Sequence, residues 1–449
     1  MLTPGGRRRR RWPWIAGAVL IVLAGVAVAA YFAFVKAPGD VSHPNVEFTA
    51  PKKAPPKPKK HNTGYDWPLY GYDVSRTRYL PGVRLRPPFV RAWTRPGSHL
   101  IEFQPVLMSG RLYYQKNNGE IYAISATTGR VRWRRHIGGL SASTPAAAGG
   151  KVYAVVNKIG EGGVAGAGPG RLVAMDARTG RIRWAKRLAS ASESSPLATA
   201  GRIYVGSQDG TVYCLLATSG RIVWRYHAGG AVKAAPAFSN GRIFIGDYGG
   251  SMTALRARDG SVIWRAGTSG RSFGRAGNFY ATPAVAFGRV YAGNTDGRVY
   301  SFAASSGKLA WSHSTGGYVY GAPAVADVPG LKPAVYIGSY SGQFMALDAR
   351  SGAVIWSRSG YGKISGAASV IGDVVYFSSL SKRRTWALGA RTGRTLWSLG
   401  RGAFNPAISD GIRVYITGYG TQYAFTTPRQ LARDRADQRR RARAAATKR

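Results

Sequence analysis

The side chains that most often carry out chemistry are sparse in this sequence and poorly arranged for it. One cysteine, Cys214, allows neither an intramolecular disulfide nor a cysteine-rich metal site. Six histidines show no metal-ligand spacing. His43 and His61 lie in a proline-rich stretch, and His136, His227 and His313 follow tryptophans that close repeated units. Asp209 and Asp296 each precede a glycine, the composition of a hairpin turn. No two carboxylates stand out as a general acid/base couple. Residues 159–170 are glycine-rich but lack the Lys-Ser/Thr of a phosphate loop, so they read as a flexible flap. The expectation is no catalytic residue, no metal site and no cofactor.

What the chain repeats is aromatic residues in register. Trp93, Trp133, Trp184, Trp224, Trp264, Trp311, Trp356 and Trp397 are spaced by 40, 51, 40, 40, 47, 45 and 41 residues. A second column reads Tyr113, Tyr153, Tyr204, Phe244, Tyr291, Tyr336, Tyr376 and Tyr415. A column of small residues runs Ala123, Ala174, Cys214, Ala254, Ser301, Ala346, Ala387 and Ala424, which makes Cys214 a core filler. Pro105, Pro145, Pro196, Pro236, Pro283, Pro323 and Pro406 form a fourth.

Each period contains four short strand-forming runs. In one unit, RIYVGS is followed by Gln-Asp-Gly, then TVYCLL, then Ser-Gly and RIVWRY. Asp-Gly supplies the positive φ of a tight hairpin. Four antiparallel strands repeated every 40 to 50 residues describe an all-β propeller, with the tryptophans docking blade on blade. Seven units are complete, and an eighth offers Tyr415 and Ala424 but no tryptophan. Residues 91–95, with Trp93 but no unit before them, are expected to complete it. That predicts eight four-stranded blades closed by the N-terminal end of the ring, with no free sheet edge.

The chain has 64 Lys and Arg against 19 Asp and Glu, a formal charge of +45. A hydrophobic share of 45% excludes global disorder. Arg7 to Arg11 are consecutive and precede 24 uncharged residues, 12–35. About 20 apolar residues suffice to cross a bilayer as a helix, and the arginines should stay cytoplasmic. The apolar run passes the small-residue site Ala27-Val28-Ala29, favouring a retained anchor over a cleaved signal peptide. The expected order is a basic cytoplasmic segment (1–11), a transmembrane helix (12–35), a Pro/Lys-rich spacer (36–64), the propeller (65–428) and a basic tail (429–449). The chain is thus expected to be a single-pass cell-membrane protein with an extracytoplasmic propeller. That position disfavours nucleic acid as the target of the charge and favours anionic envelope surfaces.

The run Leu172-Val173-Ala174-Met175-Asp176-Ala177-Arg178-Thr179-Gly180-Arg181-Ile182-Arg183-Trp184 resembles the tryptophan-docking repeat of pyrroloquinoline-quinone (PQQ)-like propellers. Residues 344–352 are similar, and Asp66-Trp67-Pro68-Leu69-Tyr70-Gly71 looks like the usual start of such a domain. In size and blade count the chain is most similar to the non-catalytic outer-membrane protein assembly factor type. The resemblance implies an eight-bladed ring over about residues 66–428, in a family holding both scaffolds and quinone-dependent dehydrogenases. Those dehydrogenases hold the quinone over a disulfide of adjacent cysteines, with a metal ion and a catalytic aspartate. With one cysteine that support cannot form. The resemblance therefore points to a non-enzymatic protein- or envelope-binding scaffold, with a PQQ-dependent oxidoreductase as the alternative.

In such a ring, the connections from a fourth strand to the next first strand meet around one end of the channel. They carry Phe103, Lys233, Tyr280, Tyr318, Tyr320, Tyr361 and Phe404, and the hairpin turns at that end add Tyr248, Tyr340 and Tyr419. Exposed rings beside cations suit an interaction face. The expected partner is an envelope protein or an anionic wall polymer, bound by a monomer.

Overall fold

The computed structural model describes residues 19–26, 39–51, 60–61, 64–158, 168–268 and 277–446. Seven blades are formed consecutively, from Val106–Met108 of blade 1 to Thr395–Leu399 of blade 7, each with four antiparallel strands in chain order. Blade 8 takes Ile408–Ser409, Arg413–Thr417 and Gln422–Thr426 from the C-terminal end. Its fourth strand is Val90–Arg95, with Ala424 opposite Trp93. The ring closes as its repeats require.

The strands differ because their surroundings differ. Second and third strands lie between neighbouring blades, are covered on both faces, and are almost continuously apolar. Fourth strands form the outer wall and alternate, with Arg132, Arg134, Arg183, Arg225 and Arg265 exposed. Much of the excess positive charge is therefore an outer belt.

A bulge follows the small residue in all eight blades, for example at Ala123/Ile124 and Cys214/Leu215. It sets each docking tryptophan directly opposite that small side chain, as in Cys214 opposite Trp224. A larger residue there would separate the second-strand aromatic from the tryptophan. Instead the rings meet across it, as Tyr204–Trp224 at 5.8 Å and Phe244–Trp264 at 6.0 Å.

Seven of the tryptophans donate Nε1–H to a carbonyl in the third-to-fourth turn of the next blade, at 2.9–3.1 Å. The turn glycine beneath the ring leaves room for it. At Gly180, φ is +71° and an added Cβ would lie 2.7 Å from Trp133. Trp397 differs because the third strand of blade 8 runs into the helix Pro428–Ala446, so no such turn faces it. Its ring packs edge-on against Phe89 and Phe425. Trp93→Phe is therefore expected to cost about 1–3 kcal/mol more than Trp397→Phe, because it takes from the buried Ala126 carbonyl the indole donor at 2.9 Å. Urea-denaturation midpoints of the two variants would measure this.

The spacer expected over residues 36–64 is corrected in part. Residues 39–51 do not hang free but lie along blade 5. Val41–Ser42 adds a fifth strand against Leu309–Ser314, with Val41 opposite Ser312. Asp40 accepts from Arg298 and the Ser314 amide, both at 2.8 Å. Glu47 binds Ser305, and Phe48 packs on Phe287 at 5.7 Å. The outer strand of blade 5 had an open edge, and the arm covers it. Of the transmembrane helix expected at 12–35, residues 19–26 are helical and exposed, and the rest lies outside the described residues. Among the described residues, no helix is long and apolar enough to cross a membrane. Within the basic tail, Pro428–Ala446 is a helix that docks on blade 8 through the ion pair between Asp434 and Arg413.

Candidate functional site at the channel mouth

The fourth-to-first connections and the second-to-third turns emerge together at one end of the ring, the channel mouth. Residues 65–80 close the channel beneath it by running along the inner edges of the blades. The amides of Ala147, Phe238, Val285, Val325 and Val370 donate at 2.8–2.9 Å to the carbonyls of Pro68, Val74, Ser75, Thr77 and Arg78 in turn. First strands that would expose a free edge are thereby paired.

Two guanidinium groups from this segment fill the axis. Arg76 and Arg78 are both fully buried. Arg76 donates to Pro236 O at 2.9 Å, to Tyr70 O, and to Ser195 O and Pro196 O at 3.4 and 3.3 Å. Arg78 donates to Arg76 O at 2.8 Å and lies 4.7 Å from the centre of the Tyr70 ring. Burial, and then the neighbouring Arg78, lower the Arg76 pKa to about 9, which leaves it charged at neutral pH. Tyr70 in turn meets Phe103 edge-on at 6.3 Å. The lead-in Asp66 to Gly71 marks the start of the domain in the sequence, but nothing in it signals that Tyr70, Arg76 and Arg78 plug the channel.

Around this plug the mouth is half acidic and half aromatic. Glu193 pairs with Lys233 and accepts from Gln208, at 2.8 and 2.7 Å. The Glu102 carboxyl is raised above its ordinary value by burial first and by Glu193 second, with Lys233 opposing. Lys233 also lies over Tyr248, 5.4 Å from its centre. From there the rings form a chain: Tyr248–Tyr280 at 6.2 Å, Tyr280–Tyr320 at 5.5 Å, and Tyr320–Tyr340 at 4.9 Å. Tyr318 packs on both Tyr320 and Tyr340 and stays 54% exposed.

Of the ten residues expected on this face, Phe103, Lys233, Tyr248, Tyr280, Tyr318, Tyr320 and Tyr340 are thus at the mouth, most of them in contact. Tyr361 is corrected. It is buried, and its ring meets Phe377 and Trp386, each at 4.9 Å. Gly360 and Gly362, at φ +88° and +67°, turn the chain so that this ring points inward. Phe404 is half-buried with its carbonyl against Gly366, and Tyr419 is 66% exposed on blade 8, apart from the cluster.

No group of three or more His, Cys, Asp or Glu could hold a metal ion among the described residues. Cys214 is buried between Tyr204 and Trp224, and burial raises its thiol pKa. Residues 270–274 have the Gly-x-Ser-x-Gly spacing of a nucleophile elbow. The described strands on either side of them are Val262–Gly267 and Ala284–Ala286, and residues 270–274 themselves lie outside the described residues. The mouth offers ring faces, tyrosine hydroxyls, one half-buried ion pair and exposed cations. That is the chemistry of recognition.

An eight-bladed ring of four-stranded blades docked by tryptophans is the fold of a PQQ-like-repeat propeller. The family model for the outer membrane protein assembly factor BamB matches residues 90–192 and 168–399, and the chain belongs to this family. No curated protein sequence matches it significantly. Among solved structures it is similar to BamB from Moraxella catarrhalis, at 18% identity and a TM-score of 0.62, covering 76% of this chain and 100% of that one. It is also similar to the quinohemoprotein alcohol dehydrogenase from Comamonas testosteroni, at 16% and 0.64, with 80% of each chain covered. A europium-containing methanol dehydrogenase matches at 13% and 0.66, covering 82% of this chain and 98% of that one. At these identities the likeness shows the fold alone.

Proposed function

We propose that the protein is a non-catalytic scaffold, held in a membrane by residues 12–35, whose extracytoplasmic propeller binds another envelope protein at the channel mouth. The observation that carries this reading is the plug. Arg76, Arg78 and Tyr70 occupy the axis under the mouth, and a contiguous set of tyrosines with Lys233 surrounds it. A closed channel with an aromatic rim suits a broad protein contact better than an enclosed small molecule. Membership of the assembly-factor family supports a scaffold, and the 24-residue uncharged stretch behind five arginines supports the anchor.

The residues present do not fit PQQ. The axial space is taken by side chains of the chain itself, and one cysteine cannot form a disulfide beneath the quinone. PQQ with calcium added to the purified protein is expected to give neither a thermal shift nor dye reduction. Either response would overturn the reading. A photo-crosslinking residue at position 248, in the mouth turn of blade 4, is expected to capture a discrete protein in native envelopes that the same residue at position 392, at the opposite end, does not.

A further inference from the structure

The docked arm fixes which end of the ring faces the membrane. Ser314 is the last residue of the outer strand of blade 5, and the next connection carries Tyr318 and Tyr320. Asp40 binds the Ser314 amide at 2.8 Å and His313 Nδ1 at 2.9 Å, so the arm begins at the mouth end of that strand. From there it runs antiparallel to the strand and reaches Phe287 and Ser305 at the opposite end, where Glu47, Phe48 and Thr49 hold it. The chain therefore comes to the propeller from the mouth side. A tether serving as a spacer would be free to join it anywhere.

The sequence leaves very little slack. Only residues 36–38 separate Val35, the end of the apolar stretch, from Gly39, whose carbonyl accepts from Arg298 at 2.8 Å. Covalent geometry limits that interval to about 14 Å. A headgroup layer is itself roughly 5–8 Å thick. The mouth-side rim of blade 5 therefore lies at the headgroups whenever the arm is docked.

That rim has the matching chemistry. Tyr318 is the most exposed ring of the cluster, and tyrosine is favoured at the membrane–water interface. Arg358, Lys363, Lys382, Arg383 and Arg401 are exposed at the same end of blades 6 to 8. Such cations are attracted to anionic lipid.

We infer that the rim of the mouth over blades 5 to 8, led by Tyr318 and these basic residues, rests on the phospholipid headgroups of the membrane that carries the anchor. The rest of the mouth is then presented to proteins embedded in that membrane. This inference rests on residues 12–35 being the anchor.

The test uses the full chain in vesicles of phosphatidylcholine and phosphatidylglycerol carrying a headgroup nitroxide. Cys214→Ala gives a thiol-free background with the side chain that six other blades already place there. A fluorophore is attached through Tyr318→Cys in one chain and Ser306→Cys in another. Ser306 is exposed at the opposite end of blade 5, and a six-residue strand separates the two ends by about 20 Å. Strong quenching at 318 with little at 306 is expected. Asp40→Ala combined with His43→Pro, which removes the arm's bonds to Ser314 and Ala310, is expected to abolish that contrast. Equal quenching at the two sites with the arm intact, or none at either while the chain survives an alkaline wash, would overturn the inference and leave the anchor standing. A contrast that needs added membrane proteins would overturn the assignment to lipid. Release of the chain by the wash would overturn the anchor and the inference together.

Discussion

Arg76→Ala is expected to lower the stability of the ring by about 3–5 kcal/mol, read as a fall in the urea midpoint at unchanged slope. The guanidinium is fully buried and reaches carbonyls of Tyr70, Ser195, Pro196 and Pro236, which belong to the inner segment and to the entrances of blades 3 and 4. Alanine leaves those acceptors without donors in a place water does not enter, and it opens a cavity on the axis. Arg76→Lys should recover only part of the loss, since a compact ammonium cannot present donors in the planar fork these carbonyls meet.

Arg78 provides the contrast. Its Nε and Nη2 are buried without hydrogen-bond partners, so it carries the cost of desolvation with less return. Arg78→Met, which keeps the length of the side chain and removes the charge, is expected to cost well under half as much as Arg76→Ala. Equal losses at the two positions would mean that both act only by filling space.

The repeat was legible because each blade needs the same local solution. A docking tryptophan must face a small residue, touch an aromatic across it, and lie over a left-handed glycine of the next blade. Trp224, Cys214, Tyr204 and Gly260 satisfy all three conditions at fixed spacings. Such constraints recur with the period and so are visible in one dimension. The plug and the arm are each made once. Arg76 binds Pro236 across 160 residues, and Arg298 binds Asp40 across 258. No spacing encodes either contact, and arginine is common throughout the chain.

The mouth falls between these cases. Topology alone places its connections at one end, so most of its tyrosines could be found from the repeat. Whether a particular ring points outward is decided by backbone within the connection. Tyr320 stays in the surface cluster, whereas Tyr361, between two left-handed glycines, turns into the core.

That difference separates binding from folding in the last prediction. Tyr280 and Tyr320 are half-buried at the centre of the ring chain, flanked by Tyr248 on one side and by Tyr318 and Tyr340 on the other. Centrally placed, partly desolvated aromatics surrounded by other contacts are where interfaces concentrate their energy, at about 2 kcal/mol or more for each truncation. Tyr280→Ala with Tyr320→Ala is therefore expected to weaken capture of the proposed protein partner by about 100-fold or more, with a modest change in the urea midpoint. Tyr361→Ala removes a ring packed on Phe377 and Trp386 and should do the reverse, lowering stability by about 3–5 kcal/mol while the folded fraction binds normally. Tyr419→Ala, which removes an exposed ring apart from the cluster, should change neither. Undiminished capture by the double variant would move the interaction site off the aromatic half of the mouth, leaving the Glu102, Glu193 and Lys233 side as the surface to substitute next.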